Sequence, residues 1–232
     1  LGNIGQIFRY GVRTSRLPSD PTRDLRGALT PVVHEHLAAI VDPAAFGALL
    51  RAIEDYRGTP IVRAALKLAP LLVVRPGELR HAEWKDVDLE AGEWRFLASK
   101  TKTQHIVPLA PQAVAILLEL RELTGGGRYV FPNPRTPDGS RPMSENAILV
   151  ALRSMGIPKA EASGHGFRAT FRTIGAEILK FRVDLLELQL AHNVRDPLGR
   201  AYNRTTFLED RRKMMKAWAD YLDSLKIQSS VL

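Results

Sequence analysis

The hydrophobic period changes twice along this chain of 232 residues, and that change limits the fold more than any single motif. From residue 42 to residue 80, and again beyond Pro111, apolar side chains recur at helical spacing. Between them lie three short runs, 84–89, 93–98 and 104–109, that carry β-branched and aromatic residues. Ala91-Gly92 separates the first two runs, and residues 100–103 separate the last two. Short strands joined by short turns pair antiparallel. The pattern predicts an α+β chain, mainly helical, with one small three-stranded antiparallel sheet inserted.

The helix boundaries carry their own chemistry. Asp42 is placed to cap a helix whose first position is Pro43, and Gly58 suits its end; Phe46, Leu49, Leu50 and Ile53 form its stripe. A second helix is expected over residues 60–73 and a short third one from Pro76. After Pro111, Val114, Leu117, Leu118 and Leu123 mark a further helix, and Ser144 is placed to cap one that ends near Gly156. Phe167, Phe171, Ile174 and Ile178 mark the next, residues 185–190 suggest another, and Met215, Trp218, Leu222 and Leu225 the last. Residues 4–12 also read as a helix, ended by the turn-rich stretch 16–22. On this reading residues 1–30 are the end of a preceding domain and its linker, residues 31–225 form one domain, and residues 226–232 are a tail.

Composition removes several kinds of chemistry. Without cysteine the chain forms no disulfide, no thiolate metal site and no thiol nucleophile. His34 and His36 have strand spacing and no evident third metal ligand, and no acidic cluster suits two-metal phosphodiester chemistry. Gly125-Gly126-Gly127 lacks the lysine that would make it a phosphate loop. No apolar run has the length of a membrane span. A formal charge of +8 favours a polyanionic partner, because Lys and Arg neutralise phosphates and release their counterions.

What remains is a set of cations and one tyrosine, in order: Arg75-Pro-Gly-Glu-Leu-Arg80, Lys100 and Lys102 at the strand turn, His165-Gly-Phe-Arg168, Leu190-Ala-His192, and Ala201-Tyr-Asn-Arg204. Each piece alone is weak, and each arginine taken singly reads equally well as half of an ion pair, Arg75 with Glu78 for example. In this order they resemble the tyrosine recombinase, or phage integrase, family, in the branch of prophage and integrative-island integrases. Residues 103–109 and 211–215 resemble that branch too. The resemblance implies the catalytic core fold of that family and cleavage and rejoining of DNA through a 3′-phosphotyrosyl bond at Tyr202, with no metal or nucleotide cofactor. It implies Arg75 and Arg168 on the non-bridging phosphate oxygens, where a planar, permanently charged fork is suited to growing negative charge. Lys100, eight positions before Pro108 as the family's hairpin lysine is, would protonate the leaving 5′-oxygen once desolvated, with Lys102 as second choice or as a phosphate grip. His165 would act as acid/base, His192 would hydrogen-bond the phosphate, Glu78 would orient a cation, and Arg204 would contact DNA. His105 fits the branch but has no chemical role beyond packing. The family also implies duplex attachment sites, a homo-tetramer on DNA, accessory DNA-bending or excision factors, and a cytoplasmic, nucleoid-associated setting in a bacterium. It often lends a C-terminal helix to a neighbouring protomer, which the amphipathic residues 214–225 would serve, packing on their own core being the alternative. A tyrosine-type topoisomerase, and a DNA-binding module of this fold without catalysis, are the competing functions. The family's usual Thr-Gly before the first arginine is replaced by Val73-Val74, which leaves the local backbone there open.

Overall fold

The computed structural model describes residues 2–25, 27–28, 38–136, 139–192 and 207–227. It divides into two compact units, Leu1–His36 and Leu37–Leu232. In the smaller unit, helix α1 (Gly2–Arg13) stops where Ser15 turns into the left-handed region at φ 55°. Asp20 then caps a single 3-10 turn, accepting from the Thr22 amide at 2.9 Å and the Thr22 hydroxyl at 2.6 Å.

The larger unit is built around α3 (Pro60–Leu72). Eight of its thirteen residues are buried, and it packs on α2 (Pro43–Asp55), α5 (Pro111–Thr124), α6 (Ala147–Ser154), α7 (Gly166–Glu177) and α9 (Leu208–Ile227). Helices α2 and α3 begin as their sequences require. Asp42 accepts from the Ala45 amide at 2.8 Å, Thr59 accepts from the Val62 amide at 3.4 Å, and a proline follows each cap, where the missing N–H costs nothing. Pro70 lies inside α3, and its carbonyl accepts from the Trp218 indole N–H at 2.8 Å. Trp218 is fully buried between Phe46 and Phe171. Helix α9 crosses α2 so closely that a Cβ at Gly47 would sit 2.6 Å from the Leu225 carbonyl oxygen.

The sheet runs in the order β1 (Val87–Asp88), β2 (Glu93–Leu97), β3 (Gln104–Pro108), all antiparallel, with Trp94 opposite both Val87 and Val107. The expected first strand is shortened to two residues. Residues 84–86 form a 3-10 turn that lets the Trp84 indole donate to the Thr124 carbonyl at 3.0 Å. Two further expectations are corrected. Leu118 and Leu123 of α5 are exposed, and its buried face is Ala113, Leu117, Leu120 and Thr124. Ser144 caps nothing; its hydroxyl accepts from the Asn146 amide at 3.3 Å in the turn before α6, whose N-cap is Asn146. Met214, Met215, Trp218, Leu222 and Leu225 of α9 lie in the core of the same chain, so the apolar face of 214–225 is not available to a neighbour. Among the described residues no helix is long and apolar enough to cross a membrane.

Candidate active site

The site forms where four chain breaks meet: the end of α3, the start of α4 (Pro76–Arg80), the β2–β3 turn, and the end of α8 (Val183–Gln189). Helix α3 ends because Val73 adopts the left-handed conformation, φ 50° and ψ 29°. For a β-branched residue that conformation costs roughly 1–3 kcal/mol. The turn aims the Val73 carbonyl at the Arg168 guanidinium, whose Nη1 donates to it at 2.7 Å. Arg168 also donates from Nη2 to the Leu190 carbonyl at 2.7 Å, so one buried side chain joins the ends of α3 and α8 from the first turn of α7.

Arg75 is the N-cap of α4, with Pro76 in the first helical position. Glu78 reaches back to it. Its Oε2 accepts from the Arg75 amide at 3.1 Å, and its Oε1 from Arg75 Nη1 at 3.0 Å. The same Oε1 accepts from the amide and the hydroxyl of Ser99, at 3.1 and 3.0 Å. Burial alone would raise the Glu78 pKa, but these donors and the Arg75 charge lower it below the usual carboxylate value, so it is an anion. Through Ser99 it fixes the β2–β3 turn that carries Lys100 and Lys102. That turn closes with Lys102 donating its amide to the Ala98 carbonyl at 2.9 Å, at a φ of 54°. Both lysines are exposed, so the desolvation expected at Lys100 is not a property of the chain by itself.

His165 stands at the N-cap of α7. The next residue is glycine for a steric reason: a Cβ on Gly166 would come within 2.3 Å of the Ala38 carbonyl oxygen. Burial lowers the His165 pKa, and the charges of Arg168, Arg75, His192 and Lys100 lower it further. The lowered pKa favours the neutral ring at pH 7. Arg168 is itself pushed down to about 10 by burial and by Arg75, which leaves it charged at pH 7. Arg75 Nη2 donates to the Ala191 carbonyl at 3.4 Å, next to the carbonyl that Arg168 holds. His192 turns back onto α8, its amide donating to the Glu187 carbonyl at 3.0 Å. Its Nε2 lies 3.3 Å from Arg168 Nη2, and its Nδ1 lies 2.6 Å from Glu187 Oε2. Tyr202 and Arg204, and also His34 and His36, lie outside the described residues.

Sequence reasoning missed the residues that support this cluster. Ser99 and Glu187 complete the contacts just described. Arg211 of α9, buried, donates twice to Gln189 Oε1, at 3.1 and 2.6 Å, and once to the Ile106 carbonyl at 2.6 Å, joining α9 to α8 and β3. His105 belongs to this support. It is buried against Phe96 and its Nε2–H donates to the Gln189 carbonyl at 3.2 Å.

Burial, together with the Arg211 charge, pushes the His105 pKa down to about 4. Between pH 6.5 and 4 the unfolded chain therefore binds a proton that the folded chain refuses. Stability from this residue is complete above pH 6.5 and falls as the pH drops towards 4. At pH 5 the loss is about 2 kcal/mol relative to pH 7. Urea unfolding at both pH values, compared between the native chain and His105→Phe, should show this difference in the native chain and a smaller one in the variant. An equal pH dependence in both would count against it.

A model of the phage integrase family matches residues 42–207. The integrase of Enterobacteria phage P4 is 37% identical over 236 residues, covering 95% of this chain and 53% of that protein. Prophage integrase IntZ of Escherichia coli K12 is 37% identical over 227 residues, covering 96% and 54%. The chain thus spans about half the length of the curated relatives it matches. Among solved structures, a lambda integrase dimer bound to a COC′ core site superposes with a TM-score of 0.60 at 17% identity, over 88% of this chain and 60% of that one. The integrase of mycobacterium phage Brujita gives 0.59 at 15% identity, over 100% and 72%. At such identities the structural likeness concerns the fold, which is that of the tyrosine recombinase catalytic core, whereas the family model covers well over half the chain. With that match over residues 42–207 and relatives 37% identical across almost the whole chain, the chain belongs to the phage integrase family, the tyrosine recombinases.

Proposed function

We propose that this chain is the catalytic domain of a DNA integrase that cuts and rejoins strands through Tyr202. The Tyr202 oxygen attacks a DNA phosphorus, the bond to the 5′-oxygen breaks, and a 3′-phosphotyrosyl link and a free 5′-hydroxyl result. Attack by a 5′-hydroxyl on that link reverses the step, and because the ester keeps the bond energy no nucleotide is consumed. The observation that carries this reading is the meeting of Arg75, Arg168 and His192 at the end of α8, where Arg168 holds the Leu190 carbonyl at 2.7 Å, Arg75 reaches the Ala191 carbonyl at 3.4 Å and His192 Nε2 lies 3.3 Å from Arg168 Nη2. Cations fixed before the reaction stabilise charge that grows on the non-bridging oxygens without reorganising at that moment. Arg75 and Arg168 serve those oxygens, and Glu78 holds Arg75 in place. A neutral His165 is able to take the tyrosine proton. Lys100, desolvated by DNA, gives its proton to the leaving 5′-oxygen. His192 hydrogen-bonds the phosphate, and Lys102 and Arg204 grip the backbone.

The partner on this reading is a duplex attachment site, with four protomers acting in two sequential exchanges and accessory DNA-bending factors assisting. Lambda integrase, of the same fold, has been solved as a dimer on a core site and as a tetramer on a Holliday junction. The test is a nicked suicide substrate carrying the attachment sequence, which loses a short 5′-fragment on cleavage and traps the enzyme. A denaturant-resistant protein–DNA adduct is expected without added metal or nucleotide. Its absence would overturn the reading, and relaxation of supercoils lacking matched sites would turn it towards a topoisomerase.

A further inference from the structure

Glu187 has no place in the chemistry set out above, yet its carboxylate is shared between an arginine and a histidine. Oε1 accepts from Arg172 Nε at 2.5 Å, and Oε2 lies 2.6 Å from His192 Nδ1. Arg172 lies one turn beyond Arg168 on α7, so the two project from the same face of that helix. The contacts close a ring: Arg168 to His192, His192 to Glu187, Glu187 to Arg172, and back along α7 to Arg168. The backbone tightens it, because the Glu187 carbonyl also accepts the His192 amide at 3.0 Å.

We propose that Glu187 is a positioning residue that sets the tautomer and orientation of His192. A carboxylate only accepts, so the proton between Glu187 and His192 belongs to Nδ1. Burial raises the Glu187 pKa, but the hydrogen bonds from His192 and Arg172 outweigh it and keep the group ionised. With Nδ1–H given to Glu187, Nε2 is the ring atom left facing Arg168 Nη2–H, from which it accepts at 3.3 Å in the free chain. On DNA, a proton taken up from solvent on Nε2 lets it donate to the phosphate while Nδ1–H stays on Glu187. The other tautomer would set Nε2–H against Arg168 N–H, donor against donor, and would leave the carboxylate facing an unprotonated Nδ1. The ring would then swing away from the guanidinium. Glu187 therefore keeps Nε2 beside Arg168, at the place where the phosphate is to be bound. Second-sphere carboxylates that orient a working histidine typically matter about 10- to 100-fold, as they do around metals.

The inference rests on the proposed role of His192 as a phosphate contact, so it needs two readouts. The first uses no DNA: nitrogen-15 NMR of the histidine-labelled chain near pH 8, where the free ring is neutral. The native chain is expected to show His192 protonated on Nδ1. Glu187→Gln should keep that pattern, because its amide oxygen still accepts, and Glu187→Ala should lose it. The second is the rate of adduct formation on the suicide substrate under saturating DNA. Glu187→Ala is expected to be about 10- to 100-fold slower, and Glu187→Gln within a few-fold of the native chain. DNA affinity should be unchanged in both variants. An unaltered His192 tautomer in Glu187→Ala overturns the inference, and so does an altered tautomer with an unaltered rate. If the native chain forms no adduct, the proposed function fails, while the spectra still decide whether Glu187 fixes the ring.

Discussion

Tyr202→Phe should abolish the covalent adduct and leave folding and DNA affinity as they are. Phenylalanine keeps the ring and removes the one atom that attacks phosphorus in the proposed mechanism, so the expected effect is loss of the product, not a fractional slowing. The described core stands without residue 202: its largest fully buried side chains, Trp218, Phe46, Phe131 and Phe171 among them, lie elsewhere in the chain. The structure also sharpens the choice among the five tyrosines. Tyr129 is buried, with the Arg128 guanidinium 5.0 Å above its ring. Tyr221 packs against Trp218 at 6.1 Å, and burial together with Asp42 pushes its hydroxyl pKa up, the wrong direction for a nucleophile. Tyr56 is half-buried against the core. Tyr10, in the smaller unit, is exposed, so only chemistry separates it from Tyr202. Tyr10→Phe should form adduct at the native rate. Peptide mapping of the adduct decides the matter, since a phosphotyrosyl peptide that contains Tyr10, or an adduct surviving Tyr202→Phe, would refute the assignment.

The parts of the fold legible in the sequence are those set by local chemistry. Asp42, followed by proline, marks a helix start because an oxygen acceptor and a missing N–H both suit that position. The sheet is legible because its alternation contrasts with helical periods on either side. Local reading fails where a distant group decides the outcome. Residues 84–86 have strand composition, but the Trp84 indole reaches Thr124, forty positions on, and bends the chain into a turn. Leu118 and Leu123 read as core because α5 carries leucine on more than one face, and only packing on α3 selects Leu117 and Leu120. At the site, the cations are legible because their motifs keep a fixed order. Glu187 is not, since it lies five residues before His192, and only the reversal of the chain after α8 brings their side chains together. Ser99 likewise gains meaning only when α4 and the β2–β3 turn meet at Glu78.

Arg168→Lys should reduce adduct formation by about 10² to 10³, the range seen when one preorganised donor is removed from a site of developing negative charge. Charge is kept in this variant, so electrostatics alone predicts little change; geometry predicts the loss. The guanidinium directs two donors at the Val73 and Leu190 carbonyls, both at 2.7 Å, and keeps a third directed at His192. A lysine ammonium has donors in the right number but no planar fork, and its compact head cannot span both carbonyls while still facing the phosphate. One buried carbonyl is then left unpaired, at a cost of about 1–3 kcal/mol. Against this, burial and the neighbouring Arg75 already disfavour the cation at position 168, so the stability lost should be the smaller part of the effect. The two contributions separate by measurement. If urea unfolding shows Arg168→Lys almost fully folded under assay conditions while the adduct rate falls about a hundredfold or more, the fork is required for chemistry. If the rate falls only as far as the folded fraction does, Arg168 is a structural strut between α3 and α8, and the oxygens of the phosphate must be served by Arg75 alone.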